Sequence, residues 1–463
     1  VTRRGLLAVA GALLLIVGLL VVVRADDGLQ RERVVVDGVP VTALRPTGAG
    51  PFPGVVVAHG FSGSARLMDG IGIAFARAGW VAALPDLSGH GASTASLTDA
   101  PLADEVLAVA DWLEERDDVD DIGLLGHSMG AGAVTEAAAT RPELPVVALS
   151  LPSAEQLASD LDAVFLVGSA EPARFGETAR AAAELGYETV TIDGAEHISI
   201  LFRTQTLQTA VSWLDDAVGR RSAPVAPDWR MAGVAAAYLG SALLFWPLSA
   251  WVVRGRADGR RGRGSRVPVW VGVPVAGLVA GGVLAVLPAL ADVVPLLVGG
   301  YLAAFFALSG AVTWLLARRW ERPSPSPAVS GVVLGLYAGV SIGVPAQLAW
   351  AEVSLTGARA AAFVGLLVAV GAFAWAEGLL AARASYGAVL GGRLLLAAVL
   401  AGLAFVGSAP GFLVLLVPLV AVILPWFGAY GVRVTQLSGS ALAGALSQAP
   451  PLALLVAITT PLA

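Results

Sequence analysis

Hydrophobic and polar positions follow three different rhythms along this chain. Residues 5–23 form a run without a charge, preceded by Arg3 and Arg4 and closed by Arg24. At 1.5 Å per residue this run is long enough to cross the apolar core of a bilayer. A cleaved secretory signal is the rival reading, since Val23-Arg24-Ala25 offers small residues. Signal cores are shorter, about 7–15 residues, so 1–25 is expected to be a retained transmembrane anchor. From 26 to 221 charges reach normal density, and short apolar runs alternate with amphipathic stretches. The runs 33–37 and 39–45 meet at Asp37-Gly38, which predicts a β-hairpin. Further short runs rich in Val, Ile or Leu fall at 54–58, 80–84, 122–125, 146–149, 163–167 and 188–192. Helical periodicity lies between them at 66–78, 102–115, 129–139, 173–185 and 200–218. A hairpin followed by alternating βα units predicts a mostly parallel sheet with helices on both faces.

Residues 222–230, with Pro224 and Pro227, read as a linker, and the third rhythm begins beyond it. Residues 231–463 read as eight further spans, at 231–253, 268–290, 294–317, 328–350, 360–382, 386–408, 411–432 and 439–461. Each is long enough to cross with some tilt. The expectation is an all-α polytopic membrane domain, with about nine transmembrane helices in the whole chain.

Composition agrees with this division. Of the 463 residues 56% are hydrophobic and 14% charged, and the mean hydropathy is +0.76, a surplus of apolar surface that needs a lipid bilayer as solvent. The net charge of −6 points to no partner. Cysteine is absent, which excludes disulfides, thiolate metal sites and cysteine nucleophiles. Four histidines, His59, His90, His127 and His197, are too few for a histidine-rich metal centre, so no metal or other cofactor is expected. Every basic residue is an arginine, and their placement carries topology. Six lie in 254–266, with Arg318, Arg319 and Arg322, Arg383 and Arg433 marking other connections. By the positive-inside rule these and the N-terminus are cytoplasmic, which places residues 26–221 outside the cytoplasm of a multi-pass cell-membrane protein. Arg24, Arg220, Arg221 and Arg230 run against that pattern. Nucleic acid is not expected as a partner, because topology alone accounts for the arginine-rich loop.

The chemistry sits in the middle region. Gly126-His127-Ser128-Met129-Gly130 follows a strand and opens a helix, the context of a nucleophile elbow that exposes a serine hydroxyl. His59-Gly60-Phe61 ends the strand at 54–58, so the backbone N–H groups of Phe61 and Met129 are candidate oxyanion donors. His59 is expected to be a structural hydrogen-bonding residue, and Asp86 and His90 to fix the loop after 80–84. His197 follows the strand at 188–192, downstream of the serine and at the sheet edge where such sites lie. It is the candidate general base. Glu171, in Gly168-Ser169-Ala170-Glu171-Pro172, is the only carboxylate in its turn and the candidate orienting acid. Asp160 and Asp162 are expected at the opposite end of that strand, and Asp193 and Glu196 in solvent.

Taken in order, His59-Gly60, Asp86 with Gly89-His90-Gly91, Gly126 to Gly130, Gly168 with Glu171, and Gly194 with His197 resemble the α/β-hydrolase superfamily. The likeness covers about 31–218 and is nearest to its serine-esterase and monoacylglycerol-lipase-like branch. That resemblance implies an α/β-hydrolase fold, an acyl-serine intermediate and no metal. Two departures are visible. The acid is a glutamate where the family usually has aspartate, and only 150–162 stands where many members insert a helical lid, so an open, shallow site is expected. The implied activity is hydrolysis of an ester or related acyl bond in a small-molecule or lipid substrate at the bilayer. Acyl transfer by the same residues is an alternative. A transporter or sensor with a hydrolase-like binding domain is another, less favoured because a binding module need not keep both Ser128 and His197. Within the spans, Glu377 and Arg393 flank the turn near 383–385 and are expected to form an ion pair, a clasp between helices or part of a transport route.

Overall fold

The computed structural model describes residues 2–98, 100–155, 157–158, 160–253, 267–318, 325–355, 357–381 and 384–463. The arginine-rich loop 254–266, Arg319, Arg322 and Arg383 lie outside the described residues. The chain forms two compact units. One holds Val17–Ala235 and Pro345–Ser354, the other Val1–Ile16, Ala236–Val344 and Leu355–Ala463.

The chain opens with helix α1 (Arg3–Val23). Strands β1 (Leu29–Val36) and β2 (Val39–Pro46) then pair antiparallel, with Val36 opposite Val39. Asp37 and Gly38 make the turn at φ 46° and 86°. Positive φ at both positions matches the right-handed strand twist, which is why Asp-Gly is favoured here. Next come β3 (Phe52–Ala58), α2 (Ala65–Arg77), β4 (Val81–Pro85), α3 (Leu102–Glu114), β5 (Val119–His127) and α4 (Met129–Thr140). The unit continues with β6 (Val146–Leu149), β7 (Ala163–Gly168), α5 (Ala173–Glu184), β8 (Glu188–Ile192) and α6 (Thr204–Ala217). The eight strands form one sheet in the order β1-β2-β4-β3-β5-β6-β7-β8. β2 runs antiparallel to both neighbours, and every pairing from β4 through β8 is parallel.

Side chains alternate faces along each strand, and both faces are buried. Val55, Val57, Leu125, Val147 and Val164 pack with Ile71 and Phe75 of α2 and Leu207 and Val211 of α6. The intervening Val56, Ala58, Leu124, Val146 and Phe165 pack with Val109 and Leu113 of α3 and Val134 of α4. Because β3 to β8 run the same way, the loops that follow them gather at one edge of the sheet. One expectation is corrected: 200–218 is not a single helix. A 3-10 turn at Ser199–Phe202 is separated from α6 by Arg203, which is extended at φ −76°, ψ 128°.

Beyond α6 the described residues form eight long helices: α7 (Arg230–Val252), α8 (Val269–Val286), α9 (Leu297–Ala317), α10 (Pro325–Ala349), α11 (Gly357–Leu380), α12 (Tyr386–Phe405), α13 (Leu413–Ser438) and α14 (Ala441–Thr459). With α1 these are nine helices, among the described residues, long and apolar enough to cross a membrane. The span read at 268–290 stops at Val286, because Leu287 precedes Pro288 and a residue before proline avoids the α conformation. The span read at 411–432 continues to Ser438, where Gly439 at φ 73° ends it. Arg433, read as marking a connection, therefore lies inside α13. Its guanidinium is 5.9 Å from the Trp246 ring centroid, and its Nε donates to Ser249 Oγ at 3.4 Å.

Candidate active site

β5 ends at His127 and α4 begins at Met129, so Ser128 alone makes the turn between them. Its φ of 53° and ψ of −116° put the backbone strain on the serine itself, at a cost of about 1–3 kcal/mol. Two backbone bonds hold it there. Ser128 N–H donates to Leu149 O at 2.8 Å, and Gly132 N–H donates to Ser128 O at 3.1 Å. The flanking glycines serve close approach. A Cβ on Gly126 would fall 2.2 Å from Gly130 O, and one on Gly130 would fall 2.4 Å from Ala58 O.

The structure brings three of the predicted side chains into one line. His197 Nε2 lies 3.1 Å from Ser128 Oγ, and His197 Nδ1 lies 2.9 Å from Glu171 Oε2. His197 is 3% exposed, whereas Ser128 is half-buried and reachable. The other carboxylate oxygen, Oε1, accepts Ser150 Oγ–H at 2.7 Å and Gly168 N–H at 2.7 Å. A carboxylate surrounded by donors requires the proton on Nδ1 of His197. That leaves the Nε2 lone pair to accept from the Ser128 hydroxyl, so the arrangement can remove a proton from the serine. Ser150 was not foreseen: it stands alone after β6, without a motif, and is itself held at φ 53°.

Neighbouring rings fix the imidazole plane. Phe175 stacks on it with centroids 4.3 Å apart, and His127 approaches from another side at 4.8 Å. His127 Nε2–H also donates to the carbonyl of His197 at 2.9 Å, so the residue before the serine anchors the loop that carries the base. Burial, reinforced by the nearby His197, pushes the His127 imidazole down to about 3. His59 is a second neutral histidine. Its Nδ1–H donates to Gly60 O at 2.9 Å, its Nε2 accepts Leu87 N–H at 3.1 Å, and burial lowers it to about 4. Asp86 accepts Ala65 N–H at 2.8 Å and Ala92 N–H at 3.1 Å, tying the start of α2 to the loop after β4. Burial outweighs those two bonds and raises its carboxyl to about 6. His90 Nδ1 bonds Ser88 O at 2.9 Å within the same loop.

The candidate oxyanion donors flank the serine. Met129 opens α4, where helix geometry leaves the first N–H groups without an intrahelical acceptor. Phe61 belongs to the turn after β3, and the preceding Gly60 is so close that a Cβ there would lie 3.1 Å from Ser128 Cβ. Asp160 and Asp162 precede β7 and so stand at the far edge of the sheet, while Asp193 and Glu196 are exposed. Glu196 accepts Ile198 N–H at 3.1 Å and Ser199 N–H at 2.6 Å, capping the 3-10 turn. The described residues of 150–162 contain no helix.

In the other unit Arg393 and Glu377 are both buried and in contact. Arg393 Nε donates to Glu377 Oε1 at 2.9 Å and Nη2 to Oε2 at 2.5 Å. Arg393 also donates to Leu424 O at 3.0 Å and to Gln448 Oε1 at 2.6 Å, partners that spacing within one helix pair does not reveal.

Residues 53–185 match the model of the family described as alpha/beta hydrolase fold, a stretch that includes Ser128 and Glu171 and ends before His197. The sheet order and this match support an α/β-hydrolase fold for the domain. A thermostable monoacylglycerol lipase from a Bacillus species is 32% identical over 107 residues, 21% of this chain and 42% of the lipase. An uncharacterised protein of Mycobacterium tuberculosis is 32% identical over 121 residues, 26% of this chain and 35% of that protein. The chain thus spans less than half the length of these curated relatives. Among solved structures, a predicted CIB-like hydrolase from Thermoplasma acidophilum aligns at 19% identity and a TM-score of 0.36, covering 41% of this chain and 98% of that one.

Proposed function

We propose that the chain is a membrane-bound serine hydrolase that cleaves an ester or related acyl bond. The observation that carries this reading is the unbroken hydrogen-bonded line from Ser128 Oγ through His197 to Glu171. In the proposed cycle Ser128 Oγ attacks the substrate carbonyl carbon as His197 Nε2 takes its proton. Glu171 keeps the imidazole in the required tautomer and stabilises the imidazolium. The N–H groups of Phe61 and Met129 receive the developing oxyanion, an effect worth about 3–4 kcal/mol per donor in such sites. Collapse of the intermediate breaks the carbonyl–oxygen bond, and the proton on His197 passes to the leaving alcohol. Water, deprotonated by His197, then attacks the acyl-serine; the bond from the acyl carbon to Ser128 Oγ breaks, His197 returns the proton to Ser128, and the acid is released.

The nine apolar helices support a multi-pass membrane protein, and the arginine distribution supports a hydrolase domain on the extracytoplasmic side. Similarity to a monoacylglycerol lipase and proximity to a bilayer both favour a lipid or other hydrophobic acyl ester as substrate. The test treats membranes carrying wild type or Ser128→Ala with a fluorophosphonate probe, then offers esters of graded chain length. Labelling and hydrolysis by wild type alone is the expected result. Equal labelling of the two proteins would remove Ser128 as nucleophile.

A further inference from the structure

One cavity in the hydrolase-bearing unit plays no part in the chemistry above. It holds about 300 Å³ and lies between the end of α1, α2, α6 and the strap that precedes α7. Val21, Ile73, Ala74, Leu207 and Pro224 give it apolar walls, and Arg77, Trp229 and Arg230 stand at its margin. The strap is pinned to the domain: Ser222 Oγ donates to Ala78 O at 2.9 Å, and Val225 N–H donates to Gln208 Oε1 at 2.7 Å. Trp229 nevertheless remains 68% exposed.

The charges around this cavity are unequally neutralised. Arg230 is paired with Asp228 at 3.1 Å. Among the described residues Arg77 Nη2 donates to the carbonyl of Ala25 alone, at 2.8 Å. Arg220 does not line the cavity itself: its Nη2 is 3.3 Å from the position of a Cβ on Gly79, the residue that follows the lining Ala78. Arg24 precedes Ala25 and Arg221 follows Arg220. Among the described residues none of these four arginines forms an ion pair. Nearby carboxylates are mostly engaged. Asp26 binds Arg31, and Asp215 accepts Trp80 Nε1–H and Ser222 N–H. Asp27 and Asp216, both exposed, are the remaining counter-charges.

Three of these four, Arg24, Arg220 and Arg221, are also residues that break the positive-inside pattern. Arginines at an extracytoplasmic boundary oppose the topology signal, so they call for another reason to be there. We infer that this cavity and its arginine margin bind an anionic phospholipid. The guanidinium groups of Arg77 and Arg220 take the phosphate, whose oxygens match their forked donors. Trp229 sits at headgroup level, as amphipathic indoles do. The glycerol backbone and first methylenes lie on Val21, Ile73 and Leu207, a wall that offers nothing to free phosphate. The inference rests on the membrane reading of the apolar helices, and it would hold the hydrolase domain against the surface from which a lipid ester is drawn.

The test uses the full chain in vesicles of phosphatidylcholine, alone or with phosphatidylglycerol. Flotation is followed by native mass spectrometry of the lipid retained in detergent. Wild type should retain phosphatidylglycerol in preference to phosphatidylcholine. Arg77→Gln with Arg220→Gln should lower that retention roughly 25-fold, about fivefold for each arginine. The lysine pair, which keeps the charge, should preserve most of it, an outcome a merely structural role would not give. Should the glutamine pair fail to fold, Arg24→Gln with Arg221→Gln alters side chains that make no hydrogen bond among the described residues and should still weaken retention. Undiminished retention in the glutamine variants, or displacement of the lipid by inorganic phosphate, would overturn the inference while leaving the hydrolase reading intact. Failure to float with either vesicle would overturn it together with the membrane reading.

Discussion

Replacing Glu171 by glutamine changes one oxygen into an NH2 group, and the surrounding donors decide which one. Oε1 faces Gly168 N–H, a backbone donor that cannot turn away, as well as the Ser150 hydroxyl. The amide oxygen must take that position, since an NH2 there would leave two buried donors opposed, at about 1–3 kcal/mol each. The NH2 then points at His197 Nδ1, where Oε2 accepts a bond at 2.9 Å in the wild type. A donor at that place selects the imidazole tautomer with hydrogen on Nε2, which presents N–H rather than a lone pair to Ser128. Catalysis without a competent base falls by about 10⁴, or about 5 kcal/mol of transition-state stabilisation. The assay is kcat/KM on a short soluble ester, with circular dichroism and thermal unfolding as checks that the domain is intact. Glu171→Asp keeps the charge but withdraws the carboxylate by one methylene and should lose about 10- to 100-fold, since misplacement by about 1 Å can cost 10². A folded Glu171→Gln enzyme within tenfold of wild type would refute the tautomer reasoning.

Two further perturbations follow from buried groups. His59 and His127 are neutral in the fold, with values depressed from 6.5 to about 4 and about 3. Their contribution to stability is therefore complete above about pH 6.5 and is lost as the pH falls below it, by about 2 kcal/mol each at about pH 5. Asp86 works in the opposite sense: its raised value means its ionisation costs stability as the pH climbs through about 6. Hydrogen exchange of the domain across this range should show a shallower acid slope in His127→Gln than in wild type, and identical slopes would contradict the assignment. In the helical unit Glu377→Gln leaves Arg393 buried without its counter-charge and should destabilise by about 3–5 kcal/mol. Unchanged thermal stability and activity in detergent would show that the pair has no structural role.

Much of the fold is written locally. Short runs rich in Val, Ile and Leu separated by helical periodicity mark the eight strands, because alternation of faces is a property of each strand alone. The Asp37-Gly38 turn belongs to this class, as does the placing of Ser128 between a strand and a helix: two adjacent residues and their φ values suffice. The break at Arg203 and the extension of α13 past Arg433 were less legible: no proline or glycine marks the first, and the charge of Arg433 within an apolar run reads as a loop before the stop at Gly439 is reached. Strand order, and the atoms that hold Glu171, could not be read at all. Ser150 is 21 residues from Glu171, and His127 is 70 residues from the carbonyl it binds. The same is true of Gln448 against Arg393, and of Arg220 beside Gly79. The amino-acid sequence by itself determined which segments are strands, helices or candidate spans, and which residues have the chemistry of a hydrolase. Only the tertiary structure decided which donors surround Glu171 and which arginines lack an ion pair among the described residues. Periodicity records the buried face of an element, whereas a hydrogen bond depends on where two distant elements bring their atoms to within about 3 Å.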